Sequence, residues 1–274
     1  MDQMFQRELA YAALGTGFTC LATVLGAAMV FFFRRELSPL AQKLFLGFAA
    51  GVMVAASVWS LLIPAMEQAG QQAAPGTPQA LAVGLPVCGG FVLGAAFLWL
   101  MDRLMPHLHL GSDKPEGLPA HLKHTTMIVL AVTLHNIPEG MAVALTFSVA
   151  AANPDNGAFA GAVALALGMA LQNFPEGAAV SLPLKAQGVG TGKAFVCGAL
   201  SGVVEPVFGI LTVLIAGRLL AVMPWLLAFA AGAMLYVVVE ELIPEARLGE
   251  HSNAGTISVL AGFLTMMMLD VFLG

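Results

Sequence analysis

Long apolar runs broken by short polar stretches make up almost the whole chain. Eight of them reach the roughly 20 mostly apolar residues that a helix rising 1.5 Å per residue needs to cross a bilayer. They lie at about 9–33, 40–64, 80–101, 124–150, 158–184, 193–217, 221–243 and 255–273. The pattern predicts an all-α, polytopic membrane protein of eight transmembrane helices, numbered here as spans 1 to 8. The first run exceeds the apolar core of a signal peptide and follows Arg7 set against Asp2 and Glu8, so it is expected to be a span and not a leader. Residues 1–274 are expected to form one membrane domain, with a His-bearing loop at about 102–123.

The polar stretches set the orientation, because Lys and Arg gather on the cytoplasmic side. Arg34, Arg35, Lys43, Arg103, Lys114, Lys123, Lys185, Lys193 and Arg247 fall in or beside the odd-numbered loops, whereas Arg7 and Arg218 fall on the other side. Both termini are therefore expected outside, with the 102–123 loop in the cytoplasm. Composition agrees: 59% of residues are hydrophobic and 10% charged, against about a quarter charged in soluble domains. Three cysteines do not make a disulfide scaffold. A net charge of −5 without basic runs excludes nucleic acid as a partner. The expected partners are divalent metal ions, for reasons given below, together with the lipid bilayer and a second copy of the chain in a homodimer.

Two pairs of segments repeat. Phe48-Ala-Ala-Gly-Val-Met53 in span 2 matches Phe229-Ala-Ala-Gly-Ala-Met234 in span 7, and each runs on to Ile-Pro, at Ile63-Pro64 and Ile243-Pro244. Leu134-His-Asn-Ile-Pro-Glu-Gly140 in span 4 matches Leu171-Gln-Asn-Phe-Pro-Glu-Gly177 in span 5. Under the assigned topology both pairs cross in opposite directions. That is the signature of inverted repeats, here spans 1–3 and 6–8 around a span 4/5 pair, with a substrate site near the midplane.

Five carboxylates interrupt the spans: Glu139, Glu176, Glu205, Glu240 and Glu241. Each costs about 2.5–3.5 kcal/mol near the bilayer centre, on the order of 10 kcal/mol or more together. Away from the span ends, where Lys43 and Lys193 stand, no Lys or Arg lies inside the spans to pair with them, which points to a bound cation. Residues four apart share a helix face, so His135 stands with Glu139 and Gln172 with Glu176, while Asn136 and Asn173 lie on an adjacent face. Pro138 and Pro175 are each expected to break the helix and free the carbonyls of Leu134 and Leu171. Gly140 and Gly177 admit a close neighbour. Imidazole, carboxylate and amide oxygen suit Zn(II), Fe(II), Mn(II), Co(II) or Cd(II), and two facing helices of this kind have room for two ions bridged by Glu139 and Glu176.

Glu205, followed by Pro206, is a third candidate ligand. Glu240 and Glu241 read as a release path or as interfacial anchors, and Asp270 as interfacial. His107, His109, His121 and His124 cluster in the cytoplasmic loop, either as a weak metal-binding tract or as a solvated segment. Glu67 with the Gln-rich stretch to Gln79 reads as an outer loop. No cofactor is expected, the metal being cargo.

These motifs resemble the ZIP (Zrt/Irt-like protein) family of divalent-metal transporters, in particular its bacterial GufA-like branch. The resemblance covers essentially the whole chain. It implies a binuclear site with His135, Glu139, Gln172 and Glu176 at one metal and Met53 nearby. Asn136, Asn173 and Glu205, with the bridging glutamates, would form the second, and Glu240 and Glu241 would match the inner exit. Gln172 and Asn173 are neutral where many members carry His and some Asp. The resemblance further implies movement of zinc, or of a related metal, into the cytoplasm, with spans 1, 4, 5 and 6 sliding against 2, 3, 7 and 8. Two other classes share some of these features. A proton-coupled carrier of an organic solute needs the carboxylates but not paired amides and imidazole. An intramembrane metallohydrolase needs His-Glu-x-x-His or Gly-x-Ser-x-Gly, and the sequence has neither.

Overall fold

The computed structural model describes residues 3–33, 38–105, 124–152, 157–216, 220–247 and 253–273. Among these residues, seven helices are long and apolar enough to cross a membrane: Gln3–Phe31, Pro39–Gln72, Ala80–Leu104, Ala158–Ala186, Thr191–Ile215, Met223–Ala246 and Ala254–Leu273. The remaining long helix, His124–Ala152, carries the His-Asn-Ile-Pro-Glu-Gly motif and completes the eight spans. Large apolar side chains such as Leu14, Leu21 and Leu25 of span 1 are exposed, as a lipid-facing surface requires.

Two bounds differ from the sequence reading. Span 1 begins at Gln3, so Glu8 lies within the helix and is buried. Span 2 continues through Ile63–Gln72, so Glu67 and the first glutamines of the expected outer loop are helical. Polar residues keep a helix going where the bundle still supports one face, and Ala65 and Ala69 supply that buried face.

The helices sort into two groups. Span 2 packs along span 8, and span 3 along span 7. Span 1 packs on spans 5 and 6, and span 4 on span 6. The groups meet where spans 2 and 8 touch span 5 and where span 7 touches span 4. Close crossings repeat the same pattern. A Cβ on Gly262 would strike the backbone oxygen of Phe48, and one on Gly94 that of Phe229. Likewise Gly51 lies on the Val259 carbonyl and Gly232 on that of Phe91. The Phe-Ala-Ala-Gly repeat therefore marks equivalent helix crossings. Each copy supplies the carbonyl that one neighbouring glycine approaches and the glycine that approaches another carbonyl.

Prolines act differently from expectation. Pro138 and Pro175 sit inside continuous α-helices, His124–Ala152 and Ala158–Ala186, so neither helix is broken there. A membrane helix tolerates the lost bond when neighbouring helices hold it, and spans 4 and 5 pack on several others. The irregular turns lie elsewhere. Wide π-helical turns at Ser57–Leu62, Ala80–Gly84 and Val238–Leu242 each lead into an apolar residue and a proline: Ile63-Pro64, Leu85-Pro86 and Ile243-Pro244. A proline ring clashes with the carbonyl four residues back and offers it no donor, so widening the preceding turn relieves both faults.

Polar caps end the spans. Ser38 Oγ accepts from the Ala41 amide at 3.2 Å, just before Pro39 at the start of span 2. Span 5 stops at Gly188, whose φ of +88° other residues rarely adopt. In that last turn Lys185 Nζ donates to the carbonyls of Val30 at 2.7 Å and Phe33 at 3.1 Å, satisfying the end of span 1. Lys185→Ala is expected to lower the thermal midpoint in detergent, at a cost of about 1–2 kcal/mol for charged hydrogen bonds lost at a helix end. Lys185→Met losing no stability would contradict this.

Candidate metal centre

The two Pro-Glu-Gly helices face each other. Gln172 Nε2 of span 5 donates to Glu139 Oε2 of span 4 at 2.8 Å and also to Asn173 Oδ1. Asn173 Nδ2 donates in turn to Glu205 Oε1 of span 6 at 2.9 Å and to the Thr19 carbonyl at 3.3 Å. Glu205 is further held by span 1, accepting from Thr19 Oγ1 at 2.5 Å and from Thr23 Oγ1 at 3.3 Å. A chain of donors thus runs from Glu139 through the two span 5 amides to Glu205. Asn136, Glu139, Gln172, Asn173 and Glu205 are all essentially inaccessible to solvent.

The glycines of the motif explain this proximity. A Cβ on Gly140 would overlap the backbone of Glu205, and one on Gly177 the carbonyl of Thr23. Spans 6 and 1 therefore pack backbone-close on spans 4 and 5, which delivers their side chains to the same layer.

Glu176 and Asn136 complete the layer. Asn136 Nδ2 donates to the Ser201 carbonyl at 2.8 Å, and the Asn136 side chain also lies beside the Glu176 carboxylate. Two buried acceptors in this layer, Asn136 Oδ1 and Glu176 Oε1, have no hydrogen-bond partner among the described residues. Glu139, Glu176 and Glu205 lie within electrostatic reach of one another. Among the described residues no Lys or Arg pairs with any of the three. Three carboxyl groups, one of them with an unpartnered oxygen, and no paired base among the described residues form a strongly cation-attracting layer.

His135 departs from the arrangement inferred from its i, i+4 spacing with Glu139. Its Nε2 lies 2.6 Å from Glu241 Oε1 of span 7. Beside the pair, Tyr236 Oη donates to Asp102 Oδ2 at 3.1 Å, and these four side chains line a cavity of about 10 Å³, room for about one water. Glu240 and Glu241, read together in the sequence, separate here: Glu241 is buried against His135 and Glu240 is exposed. Met53 is buried in the apolar core with Met169 and Met234, outside the hydrogen-bonded set. His124 opens the span 4 helix, whereas His107, His109 and His121 lie outside the described residues. Asp270 is not at a free interface, because Ser60 Oγ, carried by the first π turn, donates to it at 3.2 Å.

Among the described residues, no three His, Cys, Asp or Glu side chains form a ready-made ion cage. The carboxylates alternate with amides that take up several of their oxygens. Sequence reasoning missed Thr19, Thr23, Asp102 and Tyr236. Two signals were there to find: Thr16, Thr19 and Thr23 share one face of an apolar helix, and Tyr236 is one of two tyrosines in the chain.

The sequence profile of the ZIP Zinc transporter family matches residues 112–270, which include spans 4 to 7 and most of span 8. The chain belongs to the ZIP family. Full-length relatives agree. It is 38% identical to zinc transporter ZIP11 of Homo sapiens, over 96% of this chain and 97% of that protein. It is 40% identical to zinc transporter GufA of Myxococcus xanthus, over 92% and 95%, and 37% identical to zinc transporter ZIPB of Bordetella bronchiseptica, over 97% and 82%. As a ZIP protein with eight apolar helices it is an integral, multi-pass membrane protein, and the GufA match places it among the relatives that its motifs resemble.

Proposed function

We propose that this chain is a transporter, not an enzyme, that carries zinc and related divalent metal ions across the membrane into the cytoplasm. One observation carries the reading: at the crossing of the two Pro-Glu-Gly helices, two acceptors without donors, Asn136 Oδ1 and Glu176 Oε1, lie among carboxyl groups that no basic side chain among the described residues balances. A cation satisfies all of these groups at once; an organic solute would have to bring several donors of its own. The ion is held between Glu139, Glu176 and Asn136, with Gln172, Asn173 and Glu205 as the surrounding polar network. His135 and Glu241, beside the cavity with Asp102 and Tyr236, form the next stop inward. Met53, Glu240 and the loop histidines belong to the approaches. The names of the relatives support zinc as the cargo. The Lys and Arg distribution supports outward termini; the same reading takes an inner (plasma) membrane, residues 1–274 as one transporter domain and two copies that pair.

Zinc-dependent stabilisation of the purified chain tests the site. Ligand at about 100 times Kd stabilises by about 2.7 kcal/mol, and this increment should disappear in Glu176→Ala and shrink in Asn136→Ala. Absence of any shift with Zn, Cd, Mn, Fe or Co in the parent chain would favour the organic-solute carrier instead.

A further inference from the structure

Span 1 carries no motif and no centrally placed carboxylate, yet one face of it is built to receive Glu205. Thr16, Thr19 and Thr23 are wholly buried, and the facing helix supplies Gly209, Glu205 and Gly202 at matching positions. A Cβ on Gly202 would lie 2.7 Å from the Thr23 Cβ, and one on Gly209 2.8 Å from the Thr16 Cγ2. Two glycines of span 6 thus clear space for two threonines of span 1, and Glu205 between them meets the third. The hydroxyls are used differently. Thr16 makes the ordinary bond to its own helix, at the Ala12 carbonyl, 2.7 Å away. Thr19 has such a carbonyl at 3.1 Å, from Thr16, but its Oγ1 lies closer to the Glu205 carboxyl group, at 2.5 Å, and its one proton serves the shorter bond. Thr23 adds a longer bond to the other oxygen. With Asn173, three donors occupy the two oxygens of Glu205, whereas Glu176 keeps an oxygen without a partner.

We propose that Thr19 and Thr23 are positioning residues that hold Glu205 as a hydrogen-bonded cross-link and withhold it from the ion. Neutral donors fill the place of a second cation, and the chain carries one ion at a time. The inference rests on the metal-transport reading above and deepens it by fixing the stoichiometry.

The test counts zinc per chain by elemental analysis of the purified full-length protein after equilibrium dialysis, and measures KM and Vmax for zinc uptake in proteoliposomes. The parent chain should hold one ion. Thr19→Val with Thr23→Val keeps the shape but removes both donors. It should admit a second ion and lower KM and Vmax together by roughly five-fold, the worth of about one hydrogen bond, because a freed carboxylate binds tighter and releases more slowly. Thr19→Ser with Thr23→Ser should restore the parent values, which a purely packing role would not do. Two ions on the parent chain, one ion on the valine variant with KM and Vmax unchanged, or serine behaving as valine would each overturn the proposal. The parent measurement decides even if the valine variant fails to fold. A parent chain with neither bound zinc nor uptake would overturn the transport reading itself.

Discussion

Glu139→Ala is expected to abolish zinc uptake without destabilising the metal-free protein. Glu139 is 1% exposed, lies at the crossing of spans 4 and 5, and receives one hydrogen bond, from Gln172. Losing a partner one shell away from a metal typically costs 10- to 100-fold, so loss of a charged oxygen at the ion itself should lower uptake by about 100-fold or more. The effect on the empty protein has the opposite sign. A carboxylate near the bilayer centre costs about 2.5–3.5 kcal/mol on insertion scales, and the Gln172 amide keeps Asn173 as an acceptor after truncation. The thermal midpoint without metal should therefore hold steady or rise, while the increment added by zinc vanishes. A variant that loses uptake by unfolding would show the reverse, a lower midpoint without metal. Glu139→Ala transporting zinc at the parent rate would remove this carboxylate from the pathway.

The second large effect is steric. A Cβ at Gly140 would fall on the Glu205 backbone, and a backbone cannot rotate out of the way as a side chain can. Overpacking of a tight interior costs typically 1–3 kcal/mol and occasionally more. For the branched side chain of Gly140→Val we expect the upper end, about 3 kcal/mol or beyond, and no uptake. The loss should be double, because prising spans 4 and 6 apart also carries Glu205 away from Thr19 and Asn173. Gly17→Val is the control. It adds the same side chain to an exposed position where a Cβ would meet nothing within 4 Å, and it should fold and transport normally. Equal behaviour of the two variants in thermal unfolding and uptake would refute the account of the crossing.

Which features could be read from the chain depends on how local their physics is. Eight helices follow from run length and hydropathy. The Phe-Ala-Ala-Gly repeat was legible because close crossings demand the same small residues wherever they recur. The meeting of Glu139 with Gln172 was foreshadowed by the paired motifs, since both prolines and both glycines stand at the same offset from the glutamate. Partners across the bundle were less visible. His135 and Glu139 share a helix face, but spacing along one helix says nothing of what a second helix offers, and span 7 offers His135 a carboxylate at 2.6 Å. Thr19 and Thr23 were hidden by chemistry, because threonine in a membrane helix commonly bonds its own backbone, as Thr16 does. Helix breaks were misplaced for a related reason. Proline marks the lost donor, but whether the helix widens depends on the packing around it.

The wide turns have a further consequence for how the two halves correspond. One residue more separates Phe48 from Pro64 than Phe229 from Pro244, so an ungapped alignment of spans 2 and 7 cannot match both ends. The π turn of span 2 is six residues long and that of span 7 five, and the surplus residue is absorbed there. In an α-helix a single insertion turns everything beyond it by about 100°, which would swing Ala65 and Ala69 off their buried face. A turn that takes up an added residue as extra width leaves the following helix in phase. The halves could thus drift in length while their inward faces stayed aligned.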